Sequence, residues 1–176
     1  VAFFSMTGGE ICTISKQLKR APDIIVTNRQ DFEGVHDDLL SLVEPYQIVM
    51  IPDRPSVEEY EAAIRESCDI THNPLITLHG YLRIVPPVIC EKYEIINCHP
   101  GLITTYPELK GKDPQKRAVS YPVIGTVLHK VTAGVDEGPV ISSASCDNVY
   151  QNVDAITHQL KYLSSWLWVE LLRNKV

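Results

Sequence analysis

The chain has 176 residues, 44% hydrophobic and 22% charged, with 9 Gly and 12 Pro, a make-up that allows a buried core and excludes low-complexity, collagen-like and disordered chains. Its 16 Lys and Arg against 22 Asp and Glu leave a formal charge of −6, so no overall field favours nucleic acid or an anionic membrane surface. No apolar run approaches the ~20 residues of a membrane span, the opening Val1-Ala2-Phe3-Phe4 lacks the basic stretch and length of a secretory leader, and with no repeat or linker a single domain over 1–176 is expected.

Short apolar runs of β type alternate with helix-like stretches. Val1 to Phe4 predicts a strand, followed by the turn Ser5-Met6-Thr7-Gly8-Gly9 and a helix from Ile11 to Lys19. Asp23 to Thr27 and Gln47 to Ile51 predict the next two strands. Ser56 and Glu59 have the spacing of a capping box, each side chain capping the other's backbone N–H, and open a helix running to Glu66. Leu75 to Leu78 and Glu94 to Asn97 are short strands; Ile124 to Val131 and Val140 to Ser145 are two more, joined by the Gly-rich segment Thr132 to Pro139. In the tail, Ile156, Leu160, Leu163, Leu167 and Leu171 recur at spacings of three and four and so share one helix face.

Cys12, Cys68, Cys90, Cys98 and Cys146 are odd in number, scattered, and form no C-x-x-C. A chain of this size folds without a disulfide framework, so reduced thiols and a cytoplasmic location are expected. The nearest approach to a metal cluster is Cys68 with His72, and His79 beyond; a structural zinc site usually takes four ligands, and no metal is expected.

Strands alternating with helices predict an α/β, Rossmann-like fold: a mostly parallel twisted sheet with helices on both faces. Ligands of such sheets lie beyond the carboxyl ends of the strands, which singles out Ser5 to Glu10, Asn97 to Gly101 and Gly134 to Gly138. The first is a turn into a helix N-terminus, where backbone N–H groups can meet an anion. It is not G-x-G-x-x-G, Glu10 is itself an anion there, and Gly8-Gly9 serves equally to make a tight turn. In the second, side-chain alternation puts Asn97 and His99 on one face and turns Cys98 away, against a Cys98–His99 nucleophilic pair. An amide donor and an imidazole so placed can polarise a carbonyl, or simply finish a strand with hydrogen bonds. Asp136 in the third is either turn chemistry or the group that orients His99.

Ile96-Asn97-Cys98-His99-Pro100-Gly101-Leu102, followed downstream by Val135-Asp136-Glu137-Gly138-Pro139-Val140-Ile141, resembles the folate-dependent formyltransferase family, its glycinamide ribonucleotide formyltransferase branch most closely. Leu78-His79-Gly80-Tyr81-Leu82-Arg83-Ile84-Val85, Asn28-Arg29 and Tyr106-Pro107-x-Leu109 extend the likeness over most of the chain. The resemblance implies formyl transfer from 10-formyltetrahydrofolate to an amine, with no metal. Asn97 and His99 would then bond the developing oxyanion, and Asp136 would orient His99 or a proton-relaying water. It further implies that the pterin is held by the backbone of Leu82, Arg83, Ile84 and Val85 and of Val131, Thr132, Ala133, Gly134 and Val135, and that Gly8, Gly9, Glu10, Gly80 and Pro100 meet the substrate.

Several positions depart from the purine-synthesis branch. Its phosphate loop is Gly- and Asn-rich, whereas this chain has Met6-Thr7-Gly8-Gly9-Glu10, and Ser164 falls where that branch has an acidic substrate contact. Lys110-Gly111-x-x-Pro114-x-x-Arg117-Ala118 is more like the transfer-RNA and sugar formyltransferases, and Asp136-Glu137-Gly138-Pro139 is also similar to formyltetrahydrofolate deformylases, which use water. With no regulatory domain expected before Val1 and no nucleic-acid domain expected after the chain, the full-length deformylases and transfer-RNA enzymes, respectively, are disfavoured. Three readings follow: a formyltransferase acting on a small-molecule amine, a deformylase, or a binding module for folate or nucleotide. Asn97, His99 and Asp136 together favour an enzyme, because a binder has no need of all three. The expected partner is a small molecule, with no nucleic acid or membrane, and a homodimer is compatible with the sequence.

Overall fold

The computed structural model describes residues 1–66 and 73–175, and the chain divides into two compact units, Val1–Ile96 and Asn97–Val176. Cys68 and His72 lie outside the described residues.

The first unit carries β1 (Ala2–Phe4), α1 (Gly9–Leu18), β2 (Ile25–Thr27), β3 (Ile48–Met50), α2 (Val57–Arg65), β4 (Ile76–Leu78) and α3 (Pro87–Lys92), and ends inside β5 (Ile95–His99). β1 pairs in parallel with β2 and with β4, and β2 with β3. Alternation along β1 feeds two layers. Ala2 and Phe4 pack with Ile11 and Cys12 of α1, while Phe3 stacks on Tyr60 of α2 with ring centroids 6.2 Å apart. Helices therefore cover both faces of this part of the sheet. The expected capping box is present: Glu59 N–H donates to Ser56 Oγ at 3.2 Å and Ser56 N–H to Glu59 Oε2 at 2.7 Å.

α1 begins two residues ahead of the expected Ile11. Gly8 caps it from the left-handed region at φ 70°, and a Cβ there would stand 2.6 Å from Leu39 Cδ2, so both conformation and space demand glycine. α3 was not expected. Six residues opening on Pro87 are too few to show a helical period, but Pro fits the first turn, where its missing N–H costs nothing.

The second unit continues β5 and adds α4 (Pro114–Arg117), β6 (Val123–Lys130), β7 (Val140–Asp147) and α5 (Val153–Arg173). The seven strands form one sheet in the order β3-β2-β1-β4-β5-β6-β7, matching the expected mostly parallel class. β6 and β7 are antiparallel, with a register shift between Leu128 and His129. Their connection closes on Gly138, where a Cβ would sit 1.8 Å from the Lys130 carbonyl oxygen. Asn152 caps α5 by accepting the Ala155 N–H at 2.9 Å, and Ile156 and Leu160 of its predicted face pack with Ile124 and Val127 of β6. β5 runs to His99 rather than stopping at Asn97, so both polar residues leave the sheet in strand conformation.

Candidate active site

In the second unit the ends of β5 and β6 and the β6–β7 connection bring four side chains together. Asp136 Oδ2 is 3.1 Å from His99 Nδ1 and Oδ1 is 3.5 Å from His129 Nε2. Asn97 Nδ2 reaches His129 Nε2 at 3.4 Å. Cys98 points elsewhere, its Sγ 3.0 Å from Thr126 Oγ1, which in turn donates to the His99 carbonyl at 2.8 Å. The strand alternation thus separates the thiol from the two polar neighbours, as the sequence predicts.

Donor and acceptor rules fix much of the hydrogen placement. A carbonyl only accepts, so His99 Nε2 donates to Leu109 O at 2.8 Å and His129 Nδ1 to Lys130 O at 2.9 Å. With Nδ1–H so placed, the neutral His129 ring accepts from the Asn97 amide at Nε2, and it donates to the Asp136 carboxylate there only when both ring nitrogens carry a proton. His99 Nδ1 faces the carboxylate, and a proton taken up there lands between ring and Asp136. That carboxylate is held from a second side by the Gly111 N–H at 2.8 Å. Burial alone would raise the Asp136 carboxyl, but the hydrogen bonds with His129 and His99, the His99 charge and the Gly111 N–H outweigh it and keep the group well below the usual carboxylate range. The residue itself sits at φ 54°, in the left-handed region. Asp tolerates this better than most side chains, and such backbone strain concentrates at functional positions.

His129 was missed by the sequence reading because it closes an apolar run and looks like core, at 2% exposure. The signal was there: it is a polar residue at a strand's carboxyl end, and the bulge after Leu128 re-aims it. Leu109 and Gly111, which contribute only backbone atoms, carry no such signal.

In the first unit, Glu10 in the opening turn of α1 meets His79 at the end of β4, Oε2 to Nδ1 2.8 Å, and His79 Nε2 bonds Thr77 Oγ1 at 2.9 Å. The imidazole is buried and the carboxylate half-buried. Gly80, at φ 63°, follows directly and its carbonyl accepts the Ser5 N–H at 3.2 Å. Leu82 and Ile84 are 61% and 75% exposed, Val85 is buried, and the Arg83 side chain turns to Asp53. Leu82 to Val85 therefore lie in the first unit, and Val131 to Val135 in the second with Pro100. Among the described residues no group of three His, Cys, Asp or Glu has a metal-holding arrangement, and no helix is long and apolar enough to cross a membrane.

Comparison with known proteins adds a family. A model described as formyl transferase matches residues 5–171. A phosphoribosylglycinamide formyltransferase of Bacillus subtilis (strain 168) is 28% identical over 109 residues, 58% of this chain and 55% of that protein. A formyltetrahydrofolate deformylase of Escherichia coli O6:H1 is 29% identical over 115 residues, 61% of this chain and 40% of that protein. The chain spans about half the length of the curated relatives it matches. The solved phosphoribosylglycinamide formyltransferase of Anaplasma phagocytophilum superposes with a TM-score of 0.81 at 20% identity, covering 98% of this chain and 83% of that one, a likeness of fold.

Proposed function

The chain belongs to the formyl transferase family, and from that premise we propose that it moves a formyl group from 10-formyltetrahydrofolate to the amine of a small molecule. The observation that carries this reading is Asp136, a carboxylate held ionised by His99, His129 and the Gly111 N–H at the ends of two strands. The bound donor supplies an electrophilic formyl carbon. The fit rests on Leu82 and Ile84, whose apolar side chains stand open beside backbone groups, a surface suited to the face and edge of a heteroaromatic ring. The donor-holding segments that the family resemblance implies are 82–85 in the first unit and 131–135 in the second.

The chain's own residues would act on charge and protons. When an amine attacks the formyl carbon, negative charge builds on the formyl oxygen, and the Asn97 amide is a donor for it. The His99 Nε2–H is a second donor once it exchanges the Leu109 carbonyl for that oxygen. The attacking amine must lose a proton. His99 Nδ1 can hold it against Asp136, or Asp136 can orient a water that takes it. As the charge on the formyl oxygen collapses, the bond from the formyl carbon to the donor nitrogen breaks, and the proton taken from the amine passes to that nitrogen, which leaves as a neutral amine.

Glu10 shapes the acceptor. Its carboxylate, fixed by a buried His79, occupies the start of α1, so the acceptor is an amine that brings no phosphate to Gly8, Gly9 and Glu10. The test is incubation of the protein with the formyl donor and a panel of amines while folate absorbance and formate release are followed together. Formylated amine without stoichiometric formate supports transfer. Amine-independent formate makes the chain a deformylase, and no turnover with folate bound makes it a binding module.

A further inference from the structure

Four polar residues stand just past the carboxyl ends of four adjacent parallel strands: Ser5 after β1, Asn28 after β2, Asp53 after β3 and Arg83 after β4. They line a cleft of about 320 Å³ within the first unit, together with Arg29, Gln30, Asp31 and Leu82. Their hydrogen bonds form a closed ring. Leu82 N–H donates to Ser5 Oγ at 2.9 Å, leaving the single Ser5 hydroxyl hydrogen to donate to Asn28 Oδ1 at 2.6 Å. Asn28 Nδ2 donates to Asp53 Oδ1 at 3.1 Å. Arg83 closes the ring with Nε donating to the Asp53 carbonyl at 2.9 Å and Nη2 to its carboxylate. Each step has one permitted direction, because the carboxylate only accepts and the guanidinium only donates, so the orientation of the buried Asn28 amide is fixed. The Arg83 guanidinium also holds the Asp53 carboxyl below the usual carboxylate range.

The donors of the cleft are spent on the cleft itself. Arg29 bonds Asp31 and the Met6 carbonyl, and Gln30 Nε2 bonds the carbonyls of Asn28 and Ile51. A ligand entering there would have to break these bonds, whereas what the ring does unaided is clamp one peptide segment from two sides: the Leu82 amide through Ser5, the Arg83 side chain through Asp53. We propose that Asn28 and Asp53 are positioning residues that set the backbone conformation of Leu82 to Ile84. This rests on the reading above, in which that segment holds the formyl donor. Neither residue touches the donor; both act through Ser5 and Arg83.

The test titrates the full chain and its Asn28→Ala and Asp53→Ala variants with a non-hydrolysable folate analogue, and measures backbone amide exchange at Leu82 in the same samples. Both variants should exchange the Leu82 amide faster and bind the analogue about tenfold or more weakly, as expected when one anchoring hydrogen bond is lost. In turnover, donor KM should rise with kcat and acceptor KM little changed. Asp53 is half-exposed, so Asp53→Ala keeps the fold should Asn28→Ala fail to. Unchanged Leu82 exchange in a folded variant overturns the positioning role, as does unchanged analogue affinity. If the unsubstituted chain binds no folate, the proposed function falls, and the Leu82 exchange rate still decides whether Asn28 and Asp53 position the segment.

Discussion

Asp136 Oδ2 lies 3.1 Å from His99 Nδ1 while the opposite ring nitrogen is committed to the Leu109 carbonyl at 2.8 Å. The two residues come from different elements, a strand end and the loop after β6, and the carboxylate fixes which ring nitrogen receives a second proton. This makes the pair a unit. Removing the charge of Asp136 takes the carboxylate from His99 Nδ1, and removing the ring leaves that carboxylate with only His129 and the Gly111 N–H.

Asp136→Asn and His99→Ala are accordingly expected to lower turnover by ~10²-fold or more, the usual cost of one proton-transfer or oxyanion group. Steady-state kinetics on folded protein checks this. A variant with the parent kcat would take its residue out of the mechanism.

The depressed Asp136 carboxyl also makes a statement about stability. Its pKa in the folded chain is lowered below the ~3.9 of an unfolded Asp. The stabilisation it brings is therefore fully present above about pH 4 to 5 and is lost as pH falls through the folded value. In thermal unfolding, Asp136→Asn should be less stable than the parent at pH 7 by on the order of 1–3 kcal/mol, for a largely buried carboxylate that loses its hydrogen-bonding partners. The gap should narrow steadily toward pH 3. A gap that widens on acidification would mean that the carboxyl is not held by His99 and His129.

Cys98 and His129 separate the two faces of the site. Cys98→Ala removes a contact to Thr126 on the side away from Asp136 and should keep most of the activity. His129→Ala removes the ring whose Nε2 faces both the Asn97 amide and Asp136 and should lower kcat about tenfold, less than the loss of a group that itself meets the reacting atoms. Comparing kcat of the two variants under one set of conditions decides it. The reverse order would show that the thiol face is the reactive one.

The seven strands were legible because each is a short apolar run bounded by polar or turn residues. The ends shifted, since Asp23, Gln47 and Glu94 sit beside the runs without joining the ladder. α3 and α4 were not legible, being one to two turns long with proline at their starts. Asn97, His99 and Asp136 could be found because they follow apolar runs. The Glu10–His79 pair could not, since it joins residues distant in sequence and depends on β1 and β4 being neighbours in the sheet. The same limit hid the Ser5–Asn28–Asp53–Arg83 ring, each member of which reads alone as an ordinary loop residue.

Glu10 yields the sharpest expectation about substrate. Its carboxylate sits in the first turn of α1, where the helix dipole stabilises an anion by roughly 0.3–1 kcal/mol. His79, 3% exposed, holds it at 2.8 Å, so it is anchored rather than free to turn away. A phosphate placed ~4 Å from that carboxylate would be repelled by about 4 kcal/mol at an effective dielectric of ~20, roughly a thousandfold in affinity as an upper bound. Glycinamide ribonucleotide should therefore be a poor acceptor, while amines bearing hydroxyls or a second amine are not penalised. Glu10→Asn removes the charge and shortens the side chain by one methylene; it should lower KM for a phosphorylated amine by tenfold or more and leave KM for an unphosphorylated one level or raised. It also removes the carboxylate from His79, which keeps its bond to Thr77, so thermal unfolding of the variant must accompany the kinetics and rates be expressed per folded molecule. Efficient formylation of glycinamide ribonucleotide by the unsubstituted chain, with KM in the low micromolar range, would mean that the carboxylate yields to phosphate and that the acceptor belongs to purine synthesis after all.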